Sequence, residues 1–163
     1  MTPAQGPGKP SAFVRRLDPL QSQGPWDARL GANYRDAFGV AVHDTAPSAE
    51  EWMRKALEGA PGPLRWFVQF GWRCILGFRP AASRSILGWQ IVEATDDAVL
   101  LEQRSRLFRA ALVLYKTTEC LTWQTWVRFE SRPARHIWTI VAVLHRRIVP
   151  YILSRAVSET PHA

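Results

Sequence analysis

Apolar and polar positions alternate over residues 34 to 42 (YRDAFGVAV): Tyr34, Phe38, Val40 and Val42 fall on one side, and Arg35, Ala37, Gly39 and Ala41 on the other. Successive side chains of a strand point to opposite faces, so this alternation predicts a half-buried strand, the first of the fold. The period then lengthens. Ser48 precedes Glu50 and Glu51, placing an N-cap and negative charge where a helix begins. Ala49, Trp52, Met53, Ala56 and Leu57 follow at helical spacing. The segment 59–63 (GAPGP) stops that helix, because glycine supplies a C-cap and proline cannot continue the ladder. A second helix is predicted over 63–77, with Leu64, Phe67, Val68, Gly71 and Ile75 on one stripe and Trp66, Phe70, Trp72 and Cys74 widening it. So broad an apolar surface predicts contacts on more than one side.

Period two returns at Ile86. Residues 86–105 (ILGWQIVEATDDAVLLEQRS) read as two strands joined at Thr95 to Asp97, and the runs 107–117 and 120–130 extend the meander. In the last run Leu121, Trp123, Thr125, Val127 and Phe129 share a face that reads as core. Thr122, Gln124, Trp126, Arg128 and Glu130 share the opposite, wetter one. A long helix closes the chain. Ser131 and Pro133 stand where an N-cap and an early helical proline belong, and Ile137, Ile140, Val141, Leu144, Ile148, Tyr151 and Ile152 recur as its predicted inner stripe. Pro150 removes the bond to the carbonyl of Arg146 and is expected to kink the helix.

The order strand, two helices, antiparallel meander and long C-terminal helix resembles the helix-grip fold of the START and SRPBCC superfamily. The segments 34–38 (YRDAF), 50–61 (EEWMRKALEGAP), 88–93 (GWQIVE) and 126–157, which ends in H-R-R-x-V-P-x-x-L at His145 to Leu153, are similar to a branch of that superfamily without assigned catalytic residues. The resemblance implies an α+β fold in which a curved antiparallel sheet, here of about five strands by the count of period-two runs, wraps the last helix around an apolar cavity. It also implies a binding protein for an apolar or amphipathic small molecule, lipid-like or aromatic. An enzyme resembling the superfamily's polyketide cyclases, using the same cavity, is the alternative. The expected cavity residues are Trp89, Ile91, Trp123, Val127, Phe129, Ile140, Leu144, His145 and Tyr151.

Composition limits the other readings. At 163 residues and 47% hydrophobic, the chain is long enough for one domain with a sizeable core. Residues 1–32 are rich in Pro, Gly, Gln and Ser without period and read as an unstructured leader; 33–157 read as the domain and 158–163 as a flexible tail. Met1 to Pro10 carries no apolar run of signal-peptide type. The stretch Ile137 to Leu153 is interrupted by His145, Arg146, Arg147 and Pro150, which argues against a membrane span. A cytoplasmic protein is expected. Cys74 and Cys120 have no metal-ligand spacing and read as buried free thiols, and no phosphate loop, dinucleotide fingerprint or nucleophile elbow occurs, so neither cofactor nor metal is expected.

The remaining chemistry is cationic. Of the 21 basic residues 18 are Arg, and the formal net charge is +7. By segment, residues 64–85 carry +4 and residues 128–163 carry +4, so the excess sits on the second and last helices. Arg65, Arg73, Arg79, Arg84, Arg146 and Arg147 form the candidate basic surface, and the Arg- and Trp-bearing residues 64–79 would lie on an anionic membrane surface, cover a cavity mouth or meet a partner protein. Nucleic acid is not expected, since the arginines are dispersed and no recognition motif accompanies them. Arg104, Arg106, Arg109 and Arg128 read as cross-strand partners of Glu93, Glu102 and Glu130, with an inward Arg that clamps an anionic ligand as the functional alternative. His43 beside Asp44 reads as the polar end of a strand and His136 as a surface residue. His145, one position beyond Leu144 in the inner stripe, reads either as a solvated or capping histidine or as an imidazole at the cavity rim, and in the enzyme reading His145 or an inward Arg polarises a carbonyl.

Overall fold

A computed structural model of the chain describes residues 12–18, 31–80 and 83–159. The elements run β1 (Val14–Leu17), β2 (Tyr34–Ala41), α1 (Ala49–Glu58), α2 (Gly62–Phe70) continuing into a π-helical turn (Gly71–Ile75), β3 (Ser85–Ile86), β4 (Trp89–Ala94), β5 (Ala98–Arg104), β6 (Phe108–Lys116), β7 (Cys120–Phe129) and α3 (Arg132–Ser158). The strands form one antiparallel sheet in the order β1-β2-β7-β6-β5-β4-β3, and α1 and α3 pack on one face of it. This is an α+β fold in a helix-grip-like arrangement.

The sheet has seven strands, not about five. The two additions are the edges. β1 lies inside the stretch expected as an unstructured leader, which corrects that expectation over 14–17; residues 1–11 and 19–30, like the tail from 160, lie outside the described residues. Four residues are too few to show a period, and what specifies β1 is its partner: Gly39 on β2 leaves room for Leu17, whose side chain would stand 3.0 Å from a Cβ placed there. β3 pairs with β4 through a two-residue turn in which Leu87 and Gly88 both have positive φ, 49° and 89°, the backbone of a type I′ hairpin.

Helix α1 follows its sequence signals closely. Ser48 Oγ accepts from the Glu51 backbone N–H while Glu51 Oε2 accepts from the Ser48 N–H at 2.7 Å, a complete capping box. Ala49, Trp52, Met53, Ala56 and Leu57 are its buried residues, as the spacing predicts. Buried Lys116 ties the preceding loop to the β4–β5 turn by donating to the carbonyls of Thr45 and Pro47 and to Asp96 Oδ2 at 3.0 to 3.2 Å.

Helix α3 is rotated from the predicted phase. Its buried stripe is Ala134, Trp138, Ala142, Val149, Ile152, Leu153 and Ala156, whereas Ile140 is 77% exposed and Tyr151 faces solvent. The offset is roughly a quarter turn at 3.6 residues per turn. Alanines decide it: three small residues let the helix approach the sheet, while the larger Val141, Leu144 and Ile148 are left beside the approach line. The helix runs through Pro150 without a break. By length and composition α3 is the one helix among the described residues apolar enough to cross a membrane, and its inner stripe is packed on the sheet.

The outer face of the sheet is drier than predicted. Leu100, Val113, Trp126 and Gln124 are buried there, the Arg35 guanidinium lies 4.0 Å over the Trp126 ring, and Trp126 Nε1 donates to Gln124.

Candidate functional site

Between the inner face of the sheet and the helices α2 and α3 lies a cavity of about 130 Å³. Its floor is Ala110, Leu112, Trp123, Thr125 and Val127, because odd positions of β7 and even positions of β6 point inward. One wall is α3, contributing Trp138, Val141, Leu144, His145, Ile148 and Val149. The roof is α2 and its π-helical extension, with Leu64, Phe67, Val68 and Trp72. Trp72 and Phe78 meet the Trp89 ring edge-on at 5.4 and 5.6 Å, closing one end with aromatic surface.

The roof is thin. No residue of α2 or of the π-helical turn is buried, so the predicted contacts on several sides are replaced by one: the inward stripe lines the cavity and the opposite side faces solvent. Trp66 is 66% exposed and stacks on exposed Phe70, while Phe67, Ile75 and Leu144 each line the cavity and reach solvent, so they form its rim. The expectation of buried thiols is corrected for the same reason: Cys74, on this roof, is exposed, and Cys120 is half-buried.

At the other end the lining becomes polar. His145 Nε2 is 3.0 Å from Thr125 Oγ1 and 3.3 Å from Asp36 Oδ2, and Trp123 Nε1 donates to Thr125 Oγ1 at 3.1 Å. Tyr34 OH donates to Asp36 Oδ2 at 2.7 Å. The Asp36 side chain is fully inaccessible, and its Oδ1 has no partner among the described residues. Burial pushes the Asp36 carboxyl up, but the hydrogen bond and charge of His145, with the bonds from Tyr34 and Thr125, outweigh it and hold the group below its ordinary value. Tyr34 moves the other way, raised by burial and by the negative charge it faces, so it remains a neutral donor. A carboxylate only accepts, so the proton between the two groups sits on His145 Nε2.

Of the residues the sequence suggested for the cavity, Trp89, Trp123, Val127, Leu144 and His145 line it. Ile91 is core beyond the lining, Phe129 packs edge-on against Phe108, and Ile140 and Tyr151 point outward with the rotation of α3. Asp36 is the residue that sequence reasoning missed. Its parity with Tyr34 and Phe38 places it on the inward face of β2, and a carboxylate at an inward position was the available signal.

The arginines disperse. Arg65 lines the cavity near its mouth and donates to the Glu58 carbonyl at 2.8 Å; Arg73 and Arg79 border a neighbouring hollow with Gln69 and Gln103. Arg84 pairs with Glu50 on α1, and Arg146 and Arg147 are exposed on α3, Arg146 close enough to Tyr34 for its charge to act there. Glu102 pairs with Arg104 and Arg109, and Arg128 with Glu130, so these three arginines are engaged outside the cavity, while Arg106 is exposed. His43 and His136 are exposed, and among the described residues no cluster of three His, Cys, Asp or Glu gathers around a common point.

Compared with protein-family models, curated proteins and solved structures, this chain finds no match.

Proposed function

We propose that this protein binds an apolar or amphipathic small molecule in the cavity between sheet, α2 and α3, as a helix-grip protein of the START and SRPBCC kind would. The observation that carries the reading is the cavity itself: an almost wholly apolar lining with one polar end, under a roof that contributes no buried residue. An apolar hole of ~150 Å³ stays dry and accepts benzene, so a volume of about 130 Å³ suits one ring or a short alkyl chain. A longer amphiphile would place its tail inside and leave past the rim of Phe67, Ile75 and Leu144, where Arg65 can meet an anionic head group.

Native mass spectrometry of protein purified from its own host tests this, with Ala110→Phe as the control. Ala110 lies on the cavity floor, so the larger ring occupies the space a guest would take. The expected result is a noncovalent adduct on the wild type that the variant lacks. No adduct on either protein, or the same adduct on both, overturns the reading.

A second reading rests on a separate observation, the exposed Trp66, Phe70 and Ile75 flanked by Arg65 and Arg73. Large apolar side chains beside arginines suit peripheral contact with an anionic membrane. The test is cosedimentation with anionic and neutral vesicles at low and high salt; equal binding to both kinds removes this reading.

A further inference from the structure

Three polar groups of the cavity lining have no protein partner among the described residues, the indole N–H groups of Trp89 and Trp138 and the Nδ1 of His145, and the last two complement one another. Trp138 is buried, and its Nε1–H has no acceptor among the described residues. His145, two turns further along the same face of α3, holds its ring centroid 5.8 Å from that indole. Its Nε2 is taken by Thr125 and Asp36, which leaves Nδ1, for which no hydrogen bond exists among the described residues, as the nitrogen that accepts whenever the ring is neutral. One group is a donor without an acceptor and the other an acceptor without a donor. A buried donor without a partner is costly to leave so, and beside an apolar hole it favours a guest that accepts from Trp138 and also reaches His145 Nδ1.

We propose that the guest carries a hydroxyl group, which accepts from Trp138 Nε1–H and donates to His145 Nδ1. The proposal rests on the cavity-binding reading above and adds the chemical class: a small apolar alcohol or phenol. Asp36 is then a positioning residue. Its buried carboxylate fixes the Nε2–H tautomer, and so decides that Nδ1 accepts; Tyr34 and Thr125 hold the carboxylate in place. This gives a purpose to a charge buried on an otherwise apolar strand face.

The test uses a matched pair of probes, p-cresol and toluene, which share a shape and differ in the hydroxyl. Intrinsic fluorescence titration, read through the cavity tryptophans, is expected to show p-cresol bound several-fold to about tenfold more tightly, the range of one or two neutral hydrogen bonds. Imidazole ¹⁵N shifts of the wild type are expected to show protonated Nε2 and bare Nδ1. In Asp36→Asn the amide can donate to Nε2, so the tautomer flips, the p-cresol hydroxyl loses the acceptor it donates to, and anisole, which only accepts, closes on p-cresol. A merely structural role for Asp36 would change stability and leave the probe order intact, which overturns the positioning claim. Equal affinity for p-cresol and toluene, or an Nδ1–H tautomer in the wild type, overturns the proposal while the cavity reading stands. Binding of neither probe overturns both. If Asp36→Asn does not fold, the wild-type tautomer and probe pair decide alone.

Discussion

Replacing Tyr34 by Phe isolates one bond of the buried network. The ring remains, and with it the edge-on contact to Trp138 at 5.2 Å; only the hydroxyl that donates to Asp36 Oδ2 at 2.7 Å is lost. Because the acceptor is an inaccessible carboxylate whose other oxygen has no partner among the described residues, the loss should cost about 1.5 to 3 kcal/mol, the range for hydrogen bonds to charged groups. The cost should also depend on pH in one direction. The folded-state pKa of Asp36 lies below its ordinary value, so its stabilisation is complete above the unfolded value of about 3.9 and is lost as pH falls through the folded value. Phe at position 34 raises the folded value towards the ordinary one. The difference between the two proteins should therefore be full at neutral pH and shrink in acid towards the roughly 1 kcal/mol of a neutral bond. Urea unfolding at a series of pH values, with m unchanged as the check on two-state behaviour, measures it. A difference below about 0.5 kcal/mol at neutral pH, or one that stays constant into acid, would mean that Tyr34 does not serve an ionised Asp36.

Lys116→Met removes three bonds that clamp the β2–α1 loop and should cost about 1 to 3 kcal/mol in urea unfolding, with faster amide exchange in that loop; unchanged exchange would show that the clamp is idle. Ser48→Ala should cost about 1 kcal/mol through loss of its cap on α1, and an unchanged melting temperature would contradict the capping geometry. Trp66→Ala should move stability by less than about 0.5 kcal/mol because the side chain is exposed, while lowering recovery on anionic vesicles. A large drop in melting temperature instead would show that Trp66 packs within the fold.

Much of this architecture was legible in the chain. The capping box and spacing of α1, the alternation of β2 and β7, and the strand–helix–helix–meander–helix order follow from local rules, because each rests on residues close in sequence. The accumulation of arginine beside tryptophan and phenylalanine on the second helix was equally plain, and it does lie on an exposed roof. The edge strands were not legible: β1 and β3 are too short to carry a period and exist through their partners.

The site shows the same division more sharply. Sequence placed Trp123, Val127 and Leu144 on inward stripes and offered His145 for the rim, and all four line the cavity. It could not set the rotation of α3, because Ile, Leu and Tyr mark an apolar stripe loudly, while Ala134, Ala142 and Ala156, which seat the helix on the sheet, mark it hardly at all. Nor could it join Asp36 to His145. Periodicity determines which face of its own element a side chain occupies, and both residues were readable to that extent. That a strand near the start of the chain and a helix at its end bring carboxylate and imidazole to 3.3 Å is decided only when the sheet order puts β2 beside β7 under α3, since a contact between residues so distant in sequence is a property of packing and not of any local pattern.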